Sequence, residues 1–194
     1  ISKGGNIVLN KDNKFFTFLS NKAKKNGINI TSFSLKKRSD IFLMGIKKIK
    51  NYFRLKINVK NKTFYFDTKY STNNFVNNIL ACISTMFVLN LDLNKMKKKF
   101  TSFKIPEGRG DIRMVKKFSK RFKFIDESYN ANPLSMMSAI NNMDYYNGNK
   151  KNRKLVFLGD MLELGKKSKK FHRALSVTIN KSKIDKVFVY GKYI

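Results

Sequence analysis

Two short segments of this sequence contain most of the side chains that could do chemistry. The first runs from Asp126 to Pro133 and reads DESYNANP, and the second runs from Gly159 to Gly165 and reads GDMLELG. Each follows an apolar run that predicts a buried β-strand, and open α/β sheets bind ligands beyond the carboxyl ends of their strands. The chain has only 12 acidic residues against 42 basic ones, so finding four carboxylates in these segments is informative.

The first segment combines carboxylates with a predicted helix start. Asp126 and Glu127 end a strand, whereas Asn132 and Pro133 have the side chains preferred at the N-cap and the first position of a helix. Backbone N–H groups at a helix start favour anions, and the carboxylates suit a ribose or a cation. A polar turn that only caps the helix explains the residues equally well, and the residues alone leave both interpretations open.

The second segment carries Gly159, which permits close backbone approach, with Asp160 and Glu163 beside it. It is not a dinucleotide fingerprint, because Gly-x-Gly-x-x-Gly does not occur. An acidic N-terminal region of the following helix is the alternative. His172 is the only histidine, and without partners at metal spacing we interpret it as structural or exposed. Cys82, the only cysteine, we interpret as packing, and we predict no metal site.

The predicted elements that carry these segments alternate between strands and helices. A strand at 6–10, a helix ending near Lys25 and a strand at 28–33 are followed by a hairpin and by helices at 71–89 and 93–100. Pro106 to Gly110 interrupts the periodicity, so we place a domain boundary near residue 104. Beyond it we expect strands at 112–116, 122–126, 154–158 and 186–190, with helices at 133–146 and 168–180. The pattern predicts an α/β fold with domains 1–103 and 104–194, both with mostly parallel sheets.

Composition limits the classes of function. The formal charge is +30 in 194 residues, but 42% hydrophobic residues exclude a disordered polycation. No apolar run reaches the ~18–20 residues of a spanning helix, and one cysteine excludes an internal disulfide framework. The basic residues are 35 Lys and 7 Arg, spread along the chain, as A/T-rich codons alone would produce. A basic nucleic-acid-binding α/β module remains the alternative function.

The chain begins Ile-Ser-Lys, without an initiating Met. We therefore expect that it starts at a cut inside a longer protein.

The two motifs and the spacing between them resemble the Mur ligase family, and weaker likenesses occur at 5–12 and 74–82. The resemblance implies the rear part of a central ATP-binding domain followed by a Rossmann-like C-terminal domain. It implies an amide ligase that uses ATP and Mg²⁺ to form an acyl phosphate. No Gly-x-x-x-x-Gly-Lys-[Ser/Thr] loop occurs, so the phosphate cradle and the metal ligands are expected N-terminal to this chain. We therefore expect this chain by itself to be inactive.

The substrates implied by the resemblance are a UDP-N-acetylmuramoyl-tripeptide and D-Ala-D-Ala, in a cytoplasmic monomer without a membrane or specific nucleic-acid partner. Another amide ligase, of the folylpolyglutamate type, is a further alternative. Asn74 replaces a family histidine, and Glu127 stands where Asp is commoner. The residues implied to bind ATP are Asn74, Asn78, Arg109, Asp126, Glu127, Tyr129 and Asn130. Those implied on the dipeptide side are Asn132, Gly159, Asp160 and Met161, and the catalytic ones are Arg109, Asp160 and Glu163.

Overall fold

A strand, a helix and a second strand open the chain, as the alternation of apolar residues predicts. In the computed structural model, which describes residues 1–143 and 152–194, these are β1 (Asn6–Asn10), α1 (Phe16–Lys25) and β2 (Asn29–Ser34). β1 and β2 are parallel neighbours, with Asn6 opposite Asn29. Gly27 has a φ of +62° between α1 and β2, a conformation that glycine adopts without steric cost. The predicted parallel unit is confirmed.

The sheet of the first unit is mixed, so the expectation of a mostly parallel sheet is wrong here. Three strands complete it: β3 (Ile41–Ile49), β4 (Tyr52–Val59) and β5 (Lys62–Thr68). Their order is β1-β2-β3-β4-β5, with β3 parallel to β2 and antiparallel to β4, and with β4 antiparallel to β5. The connections at 50–51 and 60–61 are too short for a crossover and allow only hairpins. The hairpin of β4 and β5 was predicted.

The core of the first unit lies between this sheet and α2 (Asn73–Val88). Val76, Ile79, Leu80 and Ile83 of the helix are buried against a cluster that includes Leu55, Ile57 and Phe66 of the sheet. Cys82 is half-buried and packs against this cluster, in agreement with a structural role. Because this face of α2 is fixed inward, Asn74 and Asn78 are exposed on the other side.

The lysine-rich helix expected at 93–100 is not formed. The segment makes two short 3₁₀ turns, Leu93–Met96 and Lys99–Thr101. The Asp92 side chain accepts a hydrogen bond from the Asn94 N–H at 2.9 Å, and the Lys97 carbonyl accepts one from Asp67 N–H of β5 at 2.8 Å. These bonds take the place of helical ones, which a pattern of side chains cannot reveal.

The chain divides into a first unit, Ile1–Lys104, and a second unit, Ile105–Ile194, whose described residues form two small sheets. β6 (Asp111–Lys117) and β7 (Lys120–Asp126) form an antiparallel hairpin, whereas β8 (Leu155–Gly159) and β9 (Lys186–Tyr190) are parallel. α3 (Pro133–Asn142) and α4 (Ser168–Lys181) are the helices. Residues 144–146 of the predicted helix at 133–146 lie outside the described residues. With one antiparallel and one parallel pair, this unit is also mixed.

The strands of the second unit are more exposed than expected. Five of the seven residues of β7 are exposed, and Phe157 of β8 is 73% exposed. The predicted burial of these two strands is therefore wrong, because among the described residues each strand has one neighbour and helices cover only part of each sheet. The buried core consists of Ile140, Met161 and Leu175, contributed by α3, by the loop after β8 and by α4. The core thus ties the second motif to both helices.

Candidate functional site

The first motif lies against the loop that opens the second unit. The Tyr129 N–H donates to the Gly108 carbonyl at 2.9 Å, and the Gly110 N–H donates to the Asp126 carbonyl at 2.6 Å. These two backbone bonds bring Arg109, between the glycines, to the end of β7. Sequence analysis assigned Arg109, Asp126, Glu127 and Tyr129 to one site, and the structure places them side by side.

Glycine is required at both ends of this contact. Gly108 has a φ of +72° and Gly110 a φ of +91°, in the region that side chains disfavour. A Cβ atom at residue 108 would lie 2.8 Å from the Tyr129 nitrogen, and one at residue 110 would lie 3.0 Å from Oε1 of Glu127. The close approach of the loop to the turn after β7 therefore depends on both residues.

Arg109 is exposed and stacks on an aromatic ring instead of pairing with a carboxylate. Its guanidinium carbon lies 4.0 Å from the centre of the Tyr129 ring, and it has no ion pair among the described residues. A cation held on a ring face keeps its charge available to an anion. Arg109 is therefore positioned to attract a phosphate or a carboxylate from solvent.

The carboxylates nearby are bound by a different arginine, which sequence analysis missed. Arg113 of β6 donates to Asp111 at 2.6 Å and lies 3.4 Å from Glu107 and 4.0 Å from Asp126. The Asp111-x-Arg113 spacing was the available signal, because residues two apart on a strand share a face. By binding these acids, Arg113 leaves Arg109 uncompensated.

Asp126 and Glu127 differ in their electrostatics although they are adjacent. The Ser128 hydroxyl and N–H donate to Oδ1 of Asp126 at 2.6 and 3.0 Å, and they lower the pKa of Asp126. Partial burial of its carboxyl group, together with repulsion from Asp126 and Asp111, raises the pKa of Glu127. Asp126 is therefore a stable anion bound to its own turn, whereas Glu127 is the acceptor whose ionisation gains from a nearby cation or hydroxyl donor.

Asn132 caps α3 as predicted. Its side-chain oxygen accepts hydrogen bonds from the N–H groups of Leu134 and Ser135 at 3.0 Å each, and the Ser135 hydroxyl accepts one from the Asn132 N–H at 3.0 Å. This capping box occupies the side-chain oxygen of Asn132. Tyr129 and Asn130 lie before the cap and are exposed, so their side chains are accessible to a ligand.

In the second motif, Asp160 binds the backbone that follows β9. Its carboxylate accepts hydrogen bonds from the N–H groups of Lys192, Tyr193 and Ile194, at 2.7, 3.0 and 2.9 Å. Partial burial opposes ionisation, but these three donors outweigh it, and the pKa of Asp160 lies below its usual value. A Cβ atom at Gly191 would lie 2.4 Å from the carboxylate, so the turn needs glycine there. Asp160 therefore holds the turn beyond β9.

Met161 and Glu163 point in opposite directions from this loop. Met161 is 1% exposed and packs in the core with Ile140 and Leu175, so it anchors the loop and is not accessible to substrate. Glu163 is exposed with a φ of +61°, a conformation that is uncommon outside glycine and asparagine. Gly159, at the end of β8, is exposed. Glu163 is thus the predicted catalytic carboxylate of this motif that faces solvent.

His172 is buried, and sequence analysis did not anticipate its contacts. Its Nε2 accepts a hydrogen bond from the Met161 N–H at 2.9 Å, and its Nδ1 lies 2.9 Å from the Ser168 carbonyl oxygen. The spacing of Ser168 and His172, four residues apart on α4, was the only available signal. Of the two interpretations, structural or exposed, the burial supports the structural one.

The predicted site residues of the first unit lie on α2. Asn74 and Asn78 lie one turn apart on α2, so their side chains share a face of the helix. The neighbouring Asn77 accepts a hydrogen bond from the Asn10 side chain at 3.3 Å, which links α2 to the end of β1. In the described part of the chain, no three His, Cys, Asp or Glu side chains are grouped as a metal site, and no helix has the length and apolarity to span a membrane.

Comparison with known proteins identifies the class. Residues 1–86 match the family model of the Mur ligase middle domain, and residues 112–193 match that of the Mur ligase glutamate ligase domain. Because the two ranges together account for most of the chain, the chain belongs to the Mur ligase family. The α/β fold predicted from the sequence is confirmed.

The chain is similar in sequence and fold to particular members of this family. The chain is 32% identical over 194 residues to the UDP-N-acetylmuramoyl-tripeptide--D-alanyl-D-alanine ligase of Buchnera aphidicola subsp. Baizongia pistaciae, covering 99% of this chain and 40% of that protein. It superposes on MurF from Acinetobacter baumannii with a TM-score of 0.82 at 23% identity, over all of this chain and 40% of that one. MurF from Thermotoga maritima in complex with ADP gives 0.74 at 24% identity, over 97% and 40%. The chain thus spans about 40% of the length of these relatives.

Proposed function

We propose that this chain is part of an ATP-dependent ligase that joins D-Ala-D-Ala to a UDP-N-acetylmuramoyl-tripeptide during peptidoglycan precursor synthesis. The observation that carries the proposal is the match, at 32% identity over 99% of this chain and 40% of the relative, to a protein bearing that name. Both family models match in the order that such a ligase requires. We place the reaction in the cytoplasm, where ATP and UDP-linked precursors occur, and expect a monomer.

The reaction forms an amide from a carboxylate, which is a poor electrophile. A phosphoryl group passes from ATP to the tripeptide carboxylate, giving ADP and an acyl phosphate. The amine of D-Ala-D-Ala then attacks the acyl carbon, loses a proton and displaces inorganic phosphate. Positive charge that meets the transferred phosphoryl group stabilises the first step. Arg109, exposed and without an acidic partner among residues 1–143 and 152–194, is suited to supply it.

The remaining residues divide between the two substrates. Asn78, with Asn74, would contact the adenine from α2. Glu127 would accept ribose hydroxyl hydrogen bonds beside Asp126, with Tyr129 and Asn130 closing over the nucleotide. On the dipeptide side, Glu163 is the exposed carboxylate, whereas Asp160, Met161 and Asn132 act by shaping the loop and the helix start, with Gly159 leaving room beside them. Mg²⁺ is expected with the reaction, but the described residues offer no group of ligands for it, and we assign it no step.

The experiment is to determine the coding sequence on both sides of these residues and to assay the protein from the complete reading frame. We expect an upstream Gly-x-x-x-x-Gly-Lys-[Ser/Thr] loop, and phosphate release that requires both the UDP-linked tripeptide and D-Ala-D-Ala. Release that requires a folate and glutamate instead would favour the folylpolyglutamate alternative. No release with either amine would overturn the proposal.

Arg109→Ala in that protein tests the role of the site. We expect tripeptide-dependent ADP formation to fall about 30- to 1,000-fold, since losing one charged contact to the transition state costs about 2–4 kcal/mol. The matched control is Arg121→Ala, because Arg121 is an exposed arginine of β7 in the same unit, without an ion pair among the described residues. An unchanged rate in Arg109→Ala would remove this residue from the site.

A further inference from the structure

His172 connects the second motif to α4 through both of its ring nitrogens. The ring is buried, with 5% of the residue exposed, and lies under the loop that follows β8. One nitrogen bonds to the Met161 N–H in that loop and the other to the Ser168 carbonyl one turn earlier on α4. Sequence analysis gave this residue no function beyond structure.

The two partners fix the protonation state of the ring. A backbone N–H can only donate, so Nε2 must be unprotonated where it accepts from Met161 at 2.9 Å. Nδ1 lies 3.3 Å from the Ser168 hydroxyl and, closer, 2.9 Å from the Ser168 carbonyl oxygen. Because a carbonyl oxygen can only accept, the closer contact is a hydrogen bond when Nδ1 carries the proton. The ring is therefore neutral, in the Nδ1–H tautomer.

Protonation would remove the bond to Met161. A proton on Nε2 would face the Met161 N–H, and two donors do not bond. The acceptor within reach would then be Asp160, whose Oδ1 lies 3.6 Å from Nε2 and already accepts backbone hydrogen bonds. The neutral ring is the form that keeps Met161 bonded to His172.

We propose that His172 is a positioning residue: its neutral Nδ1–H tautomer holds the Met161 N–H and thereby fixes the loop that carries Asp160 and Glu163. The Met161 side chain anchors the loop in the core. Two residues later, Glu163 has a left-handed backbone conformation and its side chain is exposed. That this loop acts on substrate rests on the proposed function. The hydrogen bond and the tautomer do not, and they are testable in the chain itself.

The tautomer can be observed directly, because the chain has a single histidine and its ¹⁵N signals need no assignment by mutation. In the ¹⁵N-histidine-labelled chain at pH 7.5, long-range ¹H–¹⁵N spectra should show a protonated Nδ1 and an unprotonated Nε2. The opposite tautomer, an average of the two, or a doubly protonated ring would overturn the proposal.

Two substitutions separate positioning from packing. His172→Leu removes the acceptor, and we expect amide hydrogen exchange at Met161 to accelerate about tenfold relative to the amides of β8 and β9. His172→Gln keeps a side-chain acceptor and should restore most of this protection. Leu175→Ala is the control, because it damages the same core without removing the bond. It should accelerate exchange at all these amides together.

Equal acceleration at Met161 and in the sheet in His172→Leu would show that the ring only fills space, which would overturn the proposal. The proposal would also be overturned if the Met161 amide exchanged as fast in His172→Gln as in His172→Leu. If His172→Leu does not fold, the wild-type tautomer and the His172→Gln exchange rates decide. None of these measurements needs ligase activity, so a failure of the proposed function and a failure of this inference are distinguishable.

Discussion

At the residue scale, the adjacent carboxylates of the first motif have different environments. Asp126 is stabilised as an anion by the hydroxyl and N–H of Ser128, whereas Glu127 lies against Gly110 with further acids nearby. A site that needs one permanent anion and one adaptable acceptor can be built in this way from two consecutive residues. Arg109, which has no ion pair in the described part of the chain, lies on the Tyr129 ring beside them.

The raised pKa of Glu127 predicts a pH-dependent gain in stability for Glu127→Gln. A carboxyl whose pKa is higher in the folded than in the unfolded chain contributes stability below its unfolded pKa, and this contribution is lost as pH rises through the folded pKa. At pH 7 the wild type therefore carries a penalty that Gln removes. We expect Glu127→Gln to be more stable at pH 7, by less than about 1 kcal/mol for a group this exposed, and equal to wild type near pH 3.

Urea unfolding at pH 7 and pH 3 measures this difference, with Glu107→Gln as the control. Glu107 loses the same charge in the same unit, but its side chain is 89% exposed. A Glu127→Gln protein that is less stable than wild type at pH 7 would contradict the repulsion by Asp126 and Asp111.

At the element scale, the sequence predicted the positions of strands and helices better than it predicted which of them are buried. Each motif lies where it was expected, at the carboxyl end of a strand, and Asn132 caps α3. The burial of β7 and β8 was predicted wrongly. An apolar run shows that a strand has side chains suited to a core, but it does not show how many strands and helices pack against it. The mixed sheet of the first unit follows from the short connections at 50–51 and 60–61, which allow only hairpins. The helix expected at 93–100 is missing because the Lys97 carbonyl accepts a hydrogen bond from Asp67 of β5, and a local pattern cannot reveal a contact between residues so far apart in sequence.

The site was predictable to a similar degree. Because acids are scarce in this chain, the sequence drew attention to Asp126, Glu127, Asp160 and Glu163. It did not predict that the Asp160 carboxylate would accept hydrogen bonds from the turn after β9. His172 was hidden for the same reason, since its partner Met161 lies eleven residues earlier, across a loop. Backbone partners of side chains cannot be read from residue types.

Removing the capping box of α3 should lower the free energy of unfolding. Asn132→Ala removes the acceptor of two N–H groups at the helix start and should destabilise the second unit by about 0.5–2 kcal/mol. Asn132→Asp keeps an acceptor and adds charge favourable at a helix start, so it should be as stable as wild type. Thermal unfolding followed by circular dichroism checks both, and an Asn132→Ala protein as stable as wild type would show that the cap is not needed.

At the scale of the whole molecule, the charge of +30 is the largest feature without a role in the proposed chemistry. Of the 42 basic residues 35 are lysines, and they occur in both units. Ligase function needs positive charge only near the phosphates, which Arg109 can supply. The charge is therefore best explained by composition, and its physical effect is a general attraction for polyanions.

This explanation predicts binding without selectivity. At about 20 mM salt the chain should bind single-stranded DNA, duplex DNA and heparin with similar affinity, because lysines release condensed counterions from any polyanion. A protein that neutralises about six phosphates loses roughly a thousandfold in affinity between 50 and 200 mM salt, so binding should be negligible at 200 mM. Fluorescence anisotropy over a salt series measures the slope. Binding that survives at 200 mM, or that prefers one base sequence, would favour the nucleic-acid-binding alternative, because base-edge contacts lose little to salt and composition cannot produce them.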